Sequence, residues 1–194
     1  MIKKTAALAA MGVLAVSVTG CSLFNKPKSV QTAPEYSSDT LPPVLAVGPT
    51  AVEAGKRKLC SEAELTRLFA TVDPKLADLL RSRTYFFATD ASELAPSAVA
   101  SLDAHATLLG KSSAYRVQLS GHTDERGTHD YNLALGERRA NAVARYLVSH
   151  GVASEQLAVV SYGKEKPVAQ GHDESAWSKN RRVEVEYVDC KPAK

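Results

Sequence analysis

The sequence predicts an α/β (α+β) fold, a two-layer sandwich of helices on a mixed four-stranded sheet. Charged and apolar residues alternate strictly over 182–187, which is typical of a strand with one solvated face. Apolar residues recur at helical spacing over 96–110 and 130–150, which predicts two amphipathic helices. The order of the segments, β-α-β-α-β, then a loop or short helix, then β, is the third observation that indicates this fold.

A short helical segment over residues 60–83 is expected to precede the sandwich, which itself is predicted over 84–190. Ser61 and Glu64 form a capping-box pattern ahead of apolar residues at helical spacing, and this pattern predicts one short helix. Pro74 then begins a second helix or turn. We therefore expect a helical lead-in followed by one compact domain.

The elements of the sandwich follow in order along the chain. Pro96 opens the first long helix, which Gly110 can end, and Gly151 closes the second. The strands are marked by β-prone residues or by alternation of apolar and polar residues. In chain order we predict a strand at 84–89, a helix at 96–110, a strand at 115–121, a helix at 130–150, and strands at 157–162 and 182–187.

Residues 1–20 have the pattern of a lipoprotein signal peptide. Lys3 and Lys4 form a basic start, and the apolar run that follows is too short to span a bilayer. Val18-Thr19-Gly20-Cys21 resembles the lipobox at which a signal peptidase cuts before a lipid-modified cysteine. Cys21 is therefore the expected lipidation site, and a multiply acylated cysteine is a firm anchor. An ordinary secretory signal or an uncleaved anchor helix is the alternative.

Residues 21–59 are predicted to be a flexible tether. Their Ser, Thr, Lys and small residues show no apolar period and are interrupted by five prolines, Pro27, Pro34, Pro42, Pro43 and Pro49. Ser22, directly after the cysteine, resembles lipoproteins that are sorted to the outer membrane. We therefore expect the chain on the periplasmic face of the outer membrane, held by its lipid, with a short tail at 191–194 after the domain.

The charge of the mature chain excludes one class of partner. The whole chain has 24 Lys and Arg residues against 21 Asp and Glu residues, a net charge of +3. Removal of residues 1–20 takes away two lysines and no acids, so 22 basic residues face 21 acidic ones and the net charge becomes +1. A nearly neutral surface argues against binding to nucleic acid or to an anionic membrane surface.

The cysteines indicate a candidate disulfide. With Cys21 assigned to lipid, Cys60 and Cys190 are left as a pair in an oxidising periplasm. They bracket the patterned region, so a bridge would tie the lead-in segment to the last strand. Spacing alone does not fix the geometry of a disulfide, and two unpaired thiols are the alternative.

Arg139 and Asp124 stand out as candidate binding residues. Leu135 and Val143 lie four residues on either side of Arg139, which puts this arginine on the apolar stripe of the second long helix. A guanidinium at the edge of a core needs an anion, and Asp124 lies in the loop that leads to the same helix. Either the two pair with each other, or they are held apart and jointly receive a zwitterion, the carboxylate taking an ammonium and the guanidinium a carboxylate.

Five motifs form an ordered set over residues 121–182. They are Gly121-His122-Thr123-Asp124-Glu125-Arg126-Gly127-Thr128, Tyr131-Asn132, Leu135-Gly136-Glu137-Arg138-Arg139-Ala140, Val160-Ser161-Tyr162-Gly163-Lys164-Glu165-Lys166-Pro167 and Ser178-Lys179-Asn180-Arg181-Arg182. Together they resemble the C-terminal domain of the OmpA family and, within it, the branch of peptidoglycan-associated lipoproteins (Pal). The resemblance covers roughly residues 84–188 and implies a site for the side chain of meso-diaminopimelate in the peptidoglycan stem peptide, whose free end is a zwitterion.

The resemblance also implies which residues contact this ligand. The binding aspartate and arginine of the family fall on Asp124 and Arg139. The sequence differs from the family pattern at two positions in the loops around the site. Thr89 stands where the family has a phenylalanine, and His129 stands where a proline is common. The further contacting positions implied are Asp90, Arg126, Thr128 and Leu135.

The resemblance implies a lipoprotein that tethers the outer membrane to the cell wall by binding peptidoglycan non-covalently. It places the chain in the Tol-Pal system, with TolB and other Tol-Pal or OmpA-family envelope proteins as partners. An accessory OmpA-domain lipoprotein that acts mainly as a protein-interaction subunit is the alternative. A wall-modifying enzyme is a third hypothesis, but the sequence has no pattern of paired catalytic carboxylates, metal ligands or an activated nucleophile. We therefore expect no enzymatic activity, no metal and no cofactor beyond the lipid on Cys21.

Three other polar or aromatic features carry simpler expectations. His105 is expected to be half-buried or on the surface of the first long helix. Arg181 and Arg182 are expected to form the solvated start of the last strand. Trp177 is expected to pack over the last helical turn before that strand.

Overall fold

The computed structural model describes residues 58–188 and Cys190. The predicted signal peptide, the expected lipidation site Cys21, nearly all of the predicted tether and the predicted tail lie outside these residues. Within residues 58–188 no helix is long and apolar enough to cross a membrane. The elements are α1 (Glu62–Phe69), α2 (Pro74–Leu80), β1 (Thr84–Phe86), a 3-10 turn (Pro96–Ala98), α3 (Val99–Gly110), β2 (Arg116–His122), α4 (His129–Ser149), a 3-10 turn (Ser154–Gln156), β3 (Leu157–Gly163), α5 (Glu174–Asn180) and β4 (Arg182–Val188).

The four strands form one mixed sheet in the order β1-β4-β2-β3. β4 runs antiparallel to both of its neighbours, whereas β2 and β3 are parallel. Parallel neighbours need a crossover connection, and α4 supplies it by packing against both strands. The predicted α/β sandwich on a mixed four-stranded sheet is therefore confirmed.

The core lies between the helices and one face of the sheet. The apolar face read in the last strand is confirmed, because Val183, Val185 and Tyr187 are buried. The opposite face is not solvated as expected, since Arg182 is buried and Glu184 and Glu186 are half-buried. Each fully buried Val or Leu side chain stabilises a fold by about 1.5–3 kcal/mol, so this layer contributes most of the stability. The sheet residues pack with buried residues of α3 and α4, among them Leu102, Leu108, Leu109, Val143, Ala144 and Leu147.

The lead-in helices belong to the same core. The predicted capping box at Ser61 and Glu64 begins α1. Leu65 and Leu80 are almost fully buried in the main cluster. Cys60 donates a backbone hydrogen bond of 2.9 Å to the carbonyl of Tyr187. Cys60 and Cys190 form a disulfide with Cα atoms 5.6 Å apart, so the lead-in is joined covalently to the end of β4.

Two expectations about the core and the first strand need correction. β1 ends at Phe86 and not at residue 89, because its partner β4 begins opposite, at Arg182. His105 is fully buried, not on the surface, with its ring nitrogens 2.8 Å from the Tyr187 hydroxyl and 3.2 Å from the Ser82 carbonyl. These partners satisfy the imidazole inside the core. Burial lowers the pKa of His105 to about 4, so the ring is neutral at physiological pH.

Two glycines let α4 approach β2 at the end of the strand. A Cβ atom on Gly121 would lie 2.6 Å from the carbonyl carbon of Gly136, a distance that real structures do not tolerate. A Cβ on Gly136 would in turn lie 3.1 Å from the Gly121 carbonyl oxygen. The two backbones are therefore in contact. This contact places Arg139, one turn after Gly136, beside the loop that follows β2.

Candidate binding site

A cavity of about 270 Å³ opens where the loop after β2 meets the start of α4. Five of the six residues predicted to bind the ligand line it together, and Thr128 does not. The lining residues are Thr89, Asp90, Thr123, Asp124, Arg126, Gly127, Tyr131, Asn132, Leu135 and Arg139. The chain thus brings residues from three separate segments to one cavity.

Thr128 has a structural position instead. Its hydroxyl accepts a 3.3 Å hydrogen bond from the backbone N–H of Tyr131 and so caps the N-terminus of α4. The buried Asn132 side chain donates to the carbonyls of Arg126 and Thr128, at 2.7 and 2.9 Å. Both residues therefore shape the loop that carries Asp124.

Arg139 is fully buried and fixed by backbone carbonyls. Its Nε donates to Ala91 at 2.8 Å, and its two Nη atoms donate to His122 and Ala88, each at 3.0 Å. A guanidinium has five N–H groups, so these three bonds within residues 58–188 leave two N–H donors for a further acceptor. Burial and the nearby positive charge of Arg181 lower the pKa of Arg139 to about 10, which still leaves it charged at neutral pH.

Asp124 is held by other arginines. Nη2 of Arg126 lies 2.7 Å from Oδ2 of Asp124, and Nη1 of Arg181 lies 3.3 Å from the same oxygen. Burial raises the pKa of Asp124, but the hydrogen bonds from Arg126 and Arg181 outweigh it and keep the pKa below its usual value. Asp124 and Arg139 therefore line the same cavity as fixed opposite charges, each with its own partners.

Arg126, which lines the cavity, contacts a group of exposed or half-buried side chains beyond the lining residues. The guanidinium of Arg126 lies 4.2 Å from the centre of the Trp177 ring. Nε1 of Trp177 donates a 2.9 Å hydrogen bond to Glu125, and Nδ1 of His172 lies 2.7 Å from the same carboxylate. Trp177 thus stacks on Arg126. The Glu125 carboxylate raises the pKa of His172, which is accessible to solvent.

Asp90 and Thr89 close the cavity from the segment after β1. Asp90 has a φ of +53°, in the left-handed region that few residues other than glycine adopt. Its carboxylate accepts a 3.3 Å hydrogen bond from the Tyr131 hydroxyl. The Thr89 hydroxyl accepts a 3.4 Å hydrogen bond from Nη2 of Arg126.

Arg181 is the site residue that sequence reasoning missed. It was expected to be solvated, but only 5% of its surface is exposed. Its neighbour Arg182 is also buried, with Nε 2.6 Å from Glu184. A signal was available, because extending the alternation of β4 back by one residue puts Arg181 on the same face as Val183.

Comparison with known proteins supports this description. The OmpA family profile matches residues 86–181. The peptidoglycan-associated lipoprotein of Pseudomonas aeruginosa is 58% identical over 117 residues, which cover 59% of this chain and 69% of that protein. That of Haemophilus influenzae is 50% identical over 113 residues, 58% of this chain and 74% of that protein.

A solved structure has the same fold. The crystal structure of the peptidoglycan-associated lipoprotein from Burkholderia pseudomallei aligns with a TM-score of 0.56 at 45% identity, over 56% of this chain and 92% of that one. The sandwich is thus that of an OmpA-like domain. The chain belongs to the OmpA family, and its relatives at 50–58% identity are proteins named peptidoglycan-associated lipoprotein.

Proposed function

We propose that this chain binds peptidoglycan non-covalently through the diaminopimelate side chain of the stem peptide. The observation that carries the proposal is that Asp124 and Arg139 line one cavity without neutralising each other. The side-chain end of diaminopimelate bears one ammonium and one carboxylate. A pocket with one fixed negative and one fixed positive group matches such a zwitterion better than it matches a simple anion or cation.

Arg139 is the carboxylate-binding group in this proposal. Its bonds to Ala88, Ala91 and His122 fix the plane of the guanidinium before the ligand arrives. Its two remaining N–H groups are donors for the ligand carboxylate. Because the guanidinium is already desolvated, ligand binding costs little further reorganisation.

Asp124 receives the ammonium by exchange. Its carboxylate already accepts four hydrogen bonds, three of them from Arg126. A carboxylate offers about four lone-pair sites, so an incoming ammonium must replace existing donors. The Arg126 side chain is 41% exposed and can exchange with solvent, whereas the Arg181 side chain is 6% exposed. Arg126 is therefore the donor that gives way.

The wider proposal joins this site to a membrane anchor. Signal peptide cleavage after residue 20 and lipidation at Cys21 would hold the chain on the periplasmic face of the outer membrane. The domain would then tether that membrane to the wall without catalysing a reaction. By the same resemblance we assign the chain to the Tol-Pal system, with TolB as a partner. Co-purification of TolB from a crosslinked envelope tests this assignment, and recovery of wall fragments alone would contradict it.

Binding of the full chain to a stem peptide tests the site itself. We expect Asp124→Ala to lose about 2–5 kcal/mol of binding free energy, because it leaves the ligand ammonium and the buried Arg181 without their carboxylate. Arg139→Lys keeps a positive charge but loses the planar, bidentate guanidinium, so it should also bind clearly more weakly. The analogue with lysine in place of diaminopimelate lacks the end carboxylate and should bind the unaltered chain equally poorly. Arg138→Ala, at the exposed neighbouring position, is the matched control. Unchanged binding by both site variants would contradict the proposal.

A further inference from the structure

We infer that Arg181 is a positioning residue for the ammonium subsite, which it holds ionised and oriented when Arg126 leaves Asp124. This inference rests on the proposed function of the cavity. It assigns different tasks to the two arginines that contact the same carboxylate. Arg126 is exchangeable, and Arg181 is permanent.

The surroundings of the two arginines support this division. Arg126 lies two residues from Asp124 in the same loop, is half-exposed, and stacks on Trp177. Arg181 reaches Asp124 from the junction of α5 and β4, and its side chain is almost completely buried. Water can replace the hydrogen bonds of Arg126 at low cost. Loss of the contact with Arg181, by contrast, would leave buried charges without a partner.

Arg181 is also anchored on three sides. Its Nε donates a 3.0 Å hydrogen bond to the carbonyl of Phe87, and its Nη1 lies 3.3 Å from Oδ2 of Asp124. Its Nη2 donates to Glu174. In the backbone, the N–H of Phe87 donates back to the carbonyl of Arg181 at 2.9 Å. The guanidinium therefore links the segment after β1, the loop after β2 and helix α5 around one carboxylate oxygen.

The need for such a residue follows from the exchange at Asp124. Once Arg126 is displaced, a largely buried carboxylate faces the ligand ammonium, and burial alone favours the protonated carboxyl. A protonated Asp124 cannot form an ion pair with an ammonium. The fixed positive charge of Arg181 opposes protonation throughout the exchange and keeps Oδ2 in place.

The experiment compares Arg181→Gln and Arg181→Lys with Arg182→Gln in the full chain. Arg182 is a matched control, because it is equally buried but pairs with Glu184 at 2.6 Å, and Glu184 does not line the cavity. Each variant is titrated with the diaminopimelate stem peptide near neutral pH and at about pH 5, and its thermal unfolding is measured in parallel.

We expect Arg181→Gln to weaken binding by about tenfold or more near neutral pH, with a larger loss at the lower pH. Arg181→Lys keeps the positive charge but loses the planar guanidinium that contacts several partners at once. It should therefore bind the peptide more weakly than the unaltered chain, with the same pH dependence. Arg182→Gln should bind normally even if it unfolds at a lower temperature. A pH profile is the discriminating readout, since a purely structural role would not change it.

Two results would overturn the inference. One is unaltered affinity of Arg181→Lys at both pH values, and this result decides the matter even if Arg181→Gln fails to fold. The other is a loss in Arg181→Gln that is equal at both pH values, whether or not Arg182→Gln shows the same loss. If Asp124→Ala and Arg139→Lys still bind normally, the proposed function itself fails. If they lose binding and the Arg181 variants do not, only the positioning role fails.

Discussion

The two sides of the cavity are built differently. The inner wall, as we call the cavity residue Arg139 together with Arg181, the partner of Asp124, consists of buried guanidiniums bonded to backbone carbonyls, and Arg181 also contacts carboxylates. The outer wall, as we call the cavity residue Arg126 together with its neighbours Glu125, His172 and Trp177, consists of exposed or half-buried side chains in contact with one another. Backbone partners fix an arginine in one position, whereas exposed side-chain partners exchange with water and respond to salt and pH. The inner wall therefore holds its side chains in fixed positions, whereas the side chains of the outer wall can change partners.

The strongest way to break the inner wall is to separate α4 from β2. We expect Gly121→Ala to destabilise the domain by about 1–3 kcal/mol or more and to abolish peptide binding, because the added Cβ displaces the helix that carries Arg139. Denaturant unfolding and peptide titration measure the two effects. Gly110→Ala is the matched control, since nothing lies within 4 Å of its added Cβ. Equal stability of the two variants would show that the close approach does not matter.

The outer wall should show a smaller coupling. A double-mutant cycle of Arg126→Ala and Trp177→Ala measures the stacking at 4.2 Å independently of other contacts. We expect a coupling free energy of about 0.5–1 kcal/mol in unfolding experiments, the usual range for a partly exposed cation-π pair. Trp177→Phe, which keeps a ring but loses the N–H bond to Glu125, should retain most of this coupling. Additive effects of the two alanine changes would mean that the stack contributes nothing.

The smallest expected effect is a pH dependence at the same wall. Glu125 raises the pKa of His172 above its usual 6.5 in the folded chain. The stabilisation from this pair is therefore fully present below pH 6.5 and is lost as pH rises through the folded pKa. Unfolding free energies measured from about pH 6 to pH 8 should decline more in the unaltered chain than in His172→Gln. Parallel curves would contradict the prediction, and Glu125→Gln should behave like His172→Gln.

Sequence patterns predicted the fold well because each element carries its own period. The alternation in β4 and the helical spacing in α4 are local, and the helical face of Arg139 follows directly from that spacing. His105 could not be placed in this way, since its partner Tyr187 lies 82 residues away and no local pattern links them. The buried position of Arg181 was missed for another reason. It lies at the junction between α5 and β4, outside both the helical spacing and the alternation of the strand.

The candidate site was predicted in part. Asp124, Arg126, Arg139, Leu135 and Asp90 all reach the cavity. Thr128 does not, although a threonine three residues before Tyr131 at the start of a helix is a recognisable capping pattern. The exchange of partners at Asp124 has no sequence signal, because it depends on which arginine is exposed, and exposure is a property of the packed structure.

The disulfide at Cys60 alters how the domain would carry mechanical load. Tension on the chain before Cys60 would pass through the disulfide to Cys190, two residues after the last strand, since the covalent bond offers a shorter route than the residues in between. Helices α1 and α2 are bypassed, so their unravelling could not lengthen the connection. β4 is hydrogen-bonded along both edges, and its far end adjoins Arg181, which grips Asp124. Force applied at the disulfide would thus pass along β4, which is paired with a strand on each side, to Arg181 and Asp124 at the cavity.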